Sequence, residues 1–168
     1  MLKSPVLTRM AAAMFAIAGM VAVAPAVAAA SPQQAAQGQE CVAYAGAAEM
    51  RCAAPDQMST QAACDAVPGY IMGARFFDAI DYGGNTLTLC VPRQCSASYD
   101  NEGALFNWPD LFEWNNRANS VKTFNSCDVK LFGLENFNGE SSTWIDARAN
   151  LASVGTGWNN RASSVKLS

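Results

Sequence analysis

The chain has 168 residues and a formal net charge of −3, from 11 basic and 14 acidic side chains. It contains no histidine, which excludes His-dependent catalytic triads, H-E-x-x-H chemistry and mixed Cys/His zinc sites. The acidic balance argues against nucleic acid and anionic membranes as partners. The composition therefore indicates a protein that is not an enzyme.

Residues 1–30 have the organisation of a secretory signal peptide. Lys3 and Arg9 precede an apolar stretch over residues 10–24, and the small residues of "APAVAAASP" follow. Removing this segment would leave nine basic residues (11 − 2) against 14 acidic ones, a charge of about −5. We expect a secreted, extracellular protein that does not bind a membrane after the signal peptide is cleaved.

Residues 31–40 are rich in Ala, Gln and Gly and are expected to form a flexible leader. Residues 41–72 form a Cys-containing extension in which "STQAACDAV" predicts a short helix capped by Ser59. The extension is too small to fold alone. We expect it to lie against the main domain, tethered there by a disulfide.

The six cysteines indicate three disulfides, because an even count in a small exported chain is typical of an oxidising compartment. No C-x-x-C pair occurs, so a cysteine metal site is disfavoured. The cysteines are Cys41, Cys52, Cys64, Cys90, Cys95 and Cys127.

From residue 73 onward, short runs of β-branched and aromatic residues alternate with Gly, Asn, Asp and Ser, which predicts an all-β domain over residues 73–168. Period-two alternation points Val121, Val129, Leu131, Val165 and Leu167 inward and leaves Lys122, Lys130 and Lys166 in water. The predicted strands are 74–78, 86–91, 119–125, 129–133, 141–145 and 163–167.

Two motifs occur twice in this domain. "FDAIDYGG" and "FGLENFNG" share an aromatic, four residues, an aromatic, one residue and a glycine, which predicts hairpins with stacked rings and positive φ at Gly84 and Gly139. "WNNRANSVK" and "WNNRASSVK" begin 44 positions apart (158 − 114), at Trp114 and Trp158. A repeat at that spacing indicates a duplicated supersecondary unit.

The order of these motifs resembles the βγ-crystallin family, and the leader resembles its secreted actinobacterial members. The resemblance implies two Greek keys, at about 73–125 and 128–168, packed as a β-sandwich in which each key lends a strand to the opposite sheet. It also implies that both tryptophans are core anchors rather than ligand platforms.

The family's calcium motif reads Asn/Asp, Asn/Asp, two variable residues, Ser/Thr, Ser. The second copy, 159–164, fits at every position, whereas the first copy, 115–120, departs at the fifth, where Asn119 stands. Calcium prefers oxygen ligands, and Asn, Ser and backbone carbonyls supply them. Asn and Ser are also common turn residues, so the motifs could be turns only.

By resemblance, the second Asn of each motif gives a side-chain oxygen and the third residue gives its carbonyl. The fifth residue reaches across to the other motif, and the carbonyl of Asp78 or Gly133 completes each set. Up to two weakly bound calcium ions are expected, with the site that depends on Asn119 the weaker. The calcium candidates are Asn115, Asn116, Arg117, Asn119, Asn159, Asn160, Arg161, Ser163, Asp78 and Gly133.

Six cysteines allow 15 pairings. We predict Cys41 with Cys52, Cys64 with Cys90, and Cys95 with Cys127. The alternative, Cys90 with Cys95, would close "CVPRQC" into a loop presenting Val91, Pro92 and Arg93. That loop resembles one in the Streptomyces metalloproteinase inhibitor and would suit a secreted proteinase inhibitor.

A further alternative is a cell-wall or chitin-binding, antimicrobial module. The insertion 92–113 carries Tyr99, Phe106, Trp108 and Phe112, and exposed aromatic rings stack on sugars. The preferred prediction is a secreted, monomeric, calcium-binding protein with a stabilising role, for which a protease or glycan remains the alternative partner.

Overall fold

The structure is a computed structural model and describes residues 38–47, 49–54, 57, 60–96, 104–107 and 113–168. The predicted signal peptide, most of the leader and Ser59 lie outside the described residues. Within the described part of the chain, no helix is long and apolar enough to cross a membrane.

Single-turn 3-10 helices, Ile80–Tyr82, Glu135–Phe137 and Leu151–Ser153, accompany eight strands and one short α-helix in these residues. The strands and the α-helix are β1 Glu40–Tyr44, β2 Met50–Ala53, α1 Thr60–Asp65, β3 Ile71–Phe77, β4 Thr86–Val91, β5 Leu105–Asn107, β6 Ser120–Thr123, β7 Val129–Phe132 and β8 Ser164–Leu167. The strands form one sheet in the order β2-β1-β4-β3-β6 and a second in the order β5-β8-β7. All neighbours are antiparallel except β1 and β4.

The two Greek keys exchange chain segments between their sheets. β5 belongs to the first key by sequence but pairs with β8 of the second. In return, Arg148 of the second key bridges Val121 of β6, while Ser141 and Ile145 bridge β7. This connectivity confirms the predicted all-β sandwich of two Greek keys, each lending a segment to the opposite sheet.

The N-terminal extension is part of the first sheet. β1 runs parallel to β4, and β2 covers the outer edge of β1. The sequence analysis predicted neither strand, because neither "ECVAY" nor "MRCA" shows a strict period-two alternation. With β1 beside it and α1 above Cys90, β4 is buried along its whole length.

Both predicted aromatic hairpins form. The rings of Phe77 and Tyr82 lie 5.6 Å apart edge to face, and those of Phe132 and Phe137 lie 5.9 Å apart in the same arrangement. Such edge-to-face pairs are the favoured geometry of aromatic side chains. Tyr82 and Phe137, the second ring of each pair, therefore hold the hairpin turn against the end of the preceding strand, β3 or β7.

The interior between the sheets is apolar, and all five side chains predicted to point inward are fully buried. Trp114 and Trp158, at 0% and 1% exposure, lie in this core as predicted. Lys122 is exposed, whereas Lys130 and Lys166 are half-buried, and the ammonium groups of all three lie over hairpin rings. The expectation that all three lysines lie in water is therefore wrong for two of them.

Three disulfides join Cys41 to Cys52, Cys64 to Cys90, and Cys95 to Cys127. These are the predicted pairs. The first links β1 to β2, the second ties α1 to β4, and the third joins the beginning of the first key's insertion to the residue just before the second key.

Two predictions of secondary structure need correction. The strand predicted over 141–145 is reduced to single bridges at its two ends, so it is not a continuous ladder. β5 lies in the insertion 92–113, which the sequence analysis treated as a loop. A three-residue strand has too few positions to show alternation, and only its pairing with β8 reveals it.

Candidate metal centre

The two Asn-Asn motifs form turns of the same shape. Asn116 and Asn160, the second residues of the motifs, have φ of 55° and 52°. Asn tolerates this left-handed conformation better than most residues. The tryptophan two residues before each of them is buried, so each turn is fixed to the core at its start.

Backbone hydrogen bonds join the two motifs reciprocally. The amide of Asn116 donates to the carbonyl of Ala162 at 2.9 Å, and the amide of Asn160 donates to that of Ala118 at 3.0 Å. The second residue of each motif is thus bonded to the fourth residue of the other. Both alanines are fully buried, so this pairing lies where the keys meet.

The side chain of Asn119 lies at the centre of the first candidate site. Its Nδ2 donates to the carbonyl of Asp78 at 2.8 Å, to Oδ1 of Asn160 at 3.0 Å and, at 3.4 Å, to the carbonyl of Arg117. Four of the predicted ligand residues therefore meet here. The Arg117 carbonyl thus meets the second Asn of the other motif, Asn160, and not that of its own motif as the resemblance implied.

The second candidate site is built around Ser163. The Oγ of this buried serine donates to Oδ1 of Asn116 at 3.5 Å, a long and weak hydrogen bond. The amide of Ser163 donates to the carbonyl of Phe132 at 2.8 Å, as that of Asn119 does to the carbonyl of Phe77. The fifth residues of the two motifs therefore occupy matching places beside the two hairpins.

The sixth residue of each motif is a serine with a structural role. Ser120 donates to the carbonyl of Ala79 at 2.7 Å and accepts from the amide of Tyr82 at 3.1 Å. Ser164 makes the same two bonds in the second hairpin, at 2.7 and 3.0 Å. Both serines are fully buried, and their hydroxyls satisfy backbone groups of the two hairpins.

The arginine of each motif pairs with a carboxylate and covers a tryptophan. Arg117 lies 2.8 Å from Oδ2 of Asp78, and its guanidinium is 5.1 Å from the ring of Trp114. Asn85 also binds Asp78, through its backbone amide at 2.7 Å and its side chain at 2.6 Å. A Cβ at Gly84 would lie 2.1 Å from this carboxylate, so the turn requires glycine.

In the second key the acid comes from a different residue. Arg161 lies 2.7 Å from Oε2 of Glu140 and 5.0 Å from the ring of Trp158. Hydrogen bonds from the Thr156 hydroxyl and from Arg161 hold the pKa of Glu140 below its ordinary value of 4.5. Arg161 therefore stacks on Trp158 with Glu140 as its acid partner, although the position that corresponds to Asp78 is occupied by Gly133.

The first residues of the motifs take no part in these contacts. Asn115 is exposed. Asn159 donates to Oδ1 of Asn150 at 3.2 Å, and its own Oδ1 is buried without a hydrogen-bond partner among the described residues. Gly133 donates its amide to the carbonyl of Glu140 at 2.9 Å.

Asn85, Glu140 and Asn150 are site residues that the sequence analysis missed. Asn85 and Glu140 both follow the turn glycine directly, and this shared position was the available signal. Among the described residues, no cluster of three His, Cys, Asp or Glu side chains could hold a metal ion. The oxygens that the two motifs bring together are those of side-chain amides, a hydroxyl and backbone carbonyls.

The loop required by the inhibitor hypothesis does not form. Cys90 is bonded to Cys64 rather than to Cys95, and Val91 is 2% exposed at the end of β4. Pro92 and Arg93 are exposed, but no short disulfide ring constrains them. An enzyme could not bind Val91 without separating β4 from its neighbours.

The aromatic residues of the glycan hypothesis are only partly described. Phe106 is buried at 4% exposure in β5, so it is a core residue. Tyr99, Trp108 and Phe112 lie outside the described residues.

No protein-family model matches the sequence. No curated protein matches it either. Solved structures similar to the chain include a double mutant of a βγ-crystallin domain from Clostridium beijerinckii, with 21% identity over 56% of this chain and 94% of that chain and a TM-score of 0.43. They also include the N-terminal domain of Protein S (18%, 57% and 94%, 0.43) and a βγ-crystallin domain from Flavobacterium johnsoniae (18%, 56% and 92%, 0.41).

The strand order and the exchange of segments between the two keys stand independently of these similarities. They form the double Greek-key connectivity that the family resemblance implied. On that connectivity, the domain is βγ-crystallin-like in fold.

Proposed function

We propose that this chain is an exported protein that binds calcium weakly through its two Asn-Asn motifs and uses the ion for stability, without catalysis. The reciprocal pairing of the motifs carries the proposal. It brings the second Asn of each motif next to the fifth residue of the other. Oxygens from distant parts of the chain thereby converge, as a calcium site requires.

The residues that would hold an ion at the second site are Asn116, Ser163, Arg161 and Gly133. Asn116 and Ser163 would contribute side-chain oxygens, and the other two their carbonyls. All four ligands are neutral, hard oxygen donors of the kind that calcium accepts. When bound, the ion would cross-link the two motifs electrostatically.

Affinity should be low because the motifs place no carboxylate among these ligands. Dissociation constants on the order of 10⁻⁴ to 10⁻³ M, the range of extracellular modules, are expected. Such values suit a protein that acts outside the cell, and three disulfides are compatible with that compartment. The protein would act as a monomer.

Isothermal titration of calcium into the purified protein tests this function, together with melting curves in chelator and in calcium. At free calcium about ten times the dissociation constant, one site would add roughly 1.4 kcal/mol of stability. Ser163→Arg should abolish the response, because it replaces an oxygen ligand with a cation, and Ser153→Arg on an exposed turn is the matched control. Absence of both heat and a melting shift in millimolar calcium would refute the proposal.

A further inference from the structure

The oxygens around Asn119 come from three separate segments. The carbonyl of Asp78 belongs to the first hairpin, that of Arg117 to the first motif, and Oδ1 of Asn160 to the second motif. All three accept from one nitrogen atom. Three partial negative charges at such short range repel one another unless a donor or a cation lies between them.

The amide of Asn119 has the chemistry needed to fill that place. Its NH₂ group carries two hydrogens with partial positive charge and no acceptor capacity. The contacts at 2.8 and 3.0 Å have ordinary hydrogen-bond lengths, and the third, at 3.4 Å, is a weaker shared contact. The donor set of this site therefore does not fit a cation while the NH₂ group points into it.

We propose that the Asn119 carboxamide is the built-in occupant of the first site and replaces a cation there. The clamp between the two motifs is then closed at this site without metal. Calcium could enter only after the amide turned to present its oxygen, which would forfeit all three hydrogen bonds. This role deepens the proposed function and rests on it only for the ion at the other site.

The backbone around Asn119 holds the amide in position. The backbone N–H of Asn119 donates to the carbonyl of Phe77 at 2.8 Å, and the backbone carbonyl of Asn119 accepts from the N–H of Leu151 at 2.9 Å. The side chain therefore starts from a fixed point between the hairpin and the second key. Ser163 differs because a hydroxyl has a single hydrogen and cannot serve three oxygens at once.

Asn119→Asp is the sharpest test, because it keeps the shape of the side chain and replaces the NH₂ group with a negatively charged oxygen. In chelator, we expect its melting temperature to fall by about 3 to 8 °C relative to wild type. In millimolar calcium, the carboxylate completes an oxygen site and the deficit should disappear. Ser163→Ala, the matched control, should change the melting temperature in chelator much less.

A side-chain ¹⁵N–¹H spectrum of the wild type gives a second readout that does not depend on folding of the variant. The two Asn119 NH₂ protons should stay in place at saturating calcium while signals near Ser163 shift. Displacement of the Asn119 signals by calcium would overturn the inference, as would an Asn119→Asp variant as stable as wild type in chelator. Loss of stability in Asn119→Asp without any calcium response of the wild type would support the amide and refute only the proposed calcium function.

Discussion

The two Greek keys solve the same local problem with different residues. Each key must supply an anion to the motif arginine that covers its buried tryptophan. The first key uses Asp78, whose side chain is 17% exposed, whereas the second uses Glu140, whose side chain is 50% exposed. The acid has moved from the strand end before the hairpin to the residue after its turn glycine.

Because of this difference, the acid of the first key is more buried and makes more hydrogen bonds than the acid of the second key. Asp78 is held by Arg117 and by both amide groups of Asn85, and its carbonyl accepts from Asn119. In the second key the corresponding position is Gly133, which offers no side chain. Polar networks that are mutually satisfied rigidify a site, whereas exposed ion pairs contribute little. Equal folds can thus carry unequal sites.

The largest expected effect tests whether the two cores are equivalent beneath these unequal surfaces. Trp114→Ala and Trp158→Ala should each cost about 3–5 kcal/mol, because both indoles are almost completely buried. Urea unfolding of the two variants measures this. A difference larger than about 1 kcal/mol between them would mean that the keys differ in the core as well.

The next largest effect is the loss of stability on removing either motif arginine, which should differ between the two keys. Arg117→Ala should cost about 1–2 kcal/mol, because Asp78 is left partly buried without its cation and Trp114 loses its cover. Arg161→Ala should cost clearly less, because its partner is a half-exposed carboxylate. Chemical denaturation of both variants decides, and equal losses would contradict the comparison.

The arrangement of the first key should be transferable to the second. A Cβ at Gly133 would meet only the carbonyl of Glu140, at 3.7 Å, so Gly133→Asp combined with Glu140→Asn fits the space. We expect the double variant to gain about 0.5–1 kcal/mol, partly from a less flexible unfolded chain. Glu140→Asn alone should lose stability, since it removes the acid from Arg161. A double variant less stable than wild type would show that the two hairpins are not interchangeable.

The smallest expected effect is a pH dependence that comes from the acid of the second key. The pKa of Glu140 is lowered in the folded protein by Thr156 and Arg161. Its contribution is therefore present above the unfolded pKa and lost as the pH falls below that value and through the lowered folded value. The melting temperature should fall less steeply over that range of pH in Glu140→Gln than in wild type or in the control Glu135→Gln. If the melting temperature of Glu140→Gln depends on pH as steeply as that of wild type, the Glu140 carboxylate does not contribute to the stability of the second key.

Much of the architecture followed from local patterns in the sequence. The repeated "WNNR" segments and aromatic hairpins indicated a duplicated unit, because turn residues and ring spacing act within a few residues of each other, and their resemblance to βγ-crystallins implied two Greek keys. The inward positions of Val121, Leu131 and Val165 followed from period-two alternation. The fifth motif position was also recognised as the place where the two sites differ.

The tertiary structure alone decided what surrounds that fifth position. Asn119 meets oxygens of Asp78 and Asn160 that are 41 residues away in either direction, and no local pattern encodes such a contact. The acid partners of the two arginines and the strands β1, β2 and β5 likewise became visible only through pairing with distant segments. Short strands and single hydrogen bonds have no period in the sequence, since their partners are chosen by the packing of the whole domain.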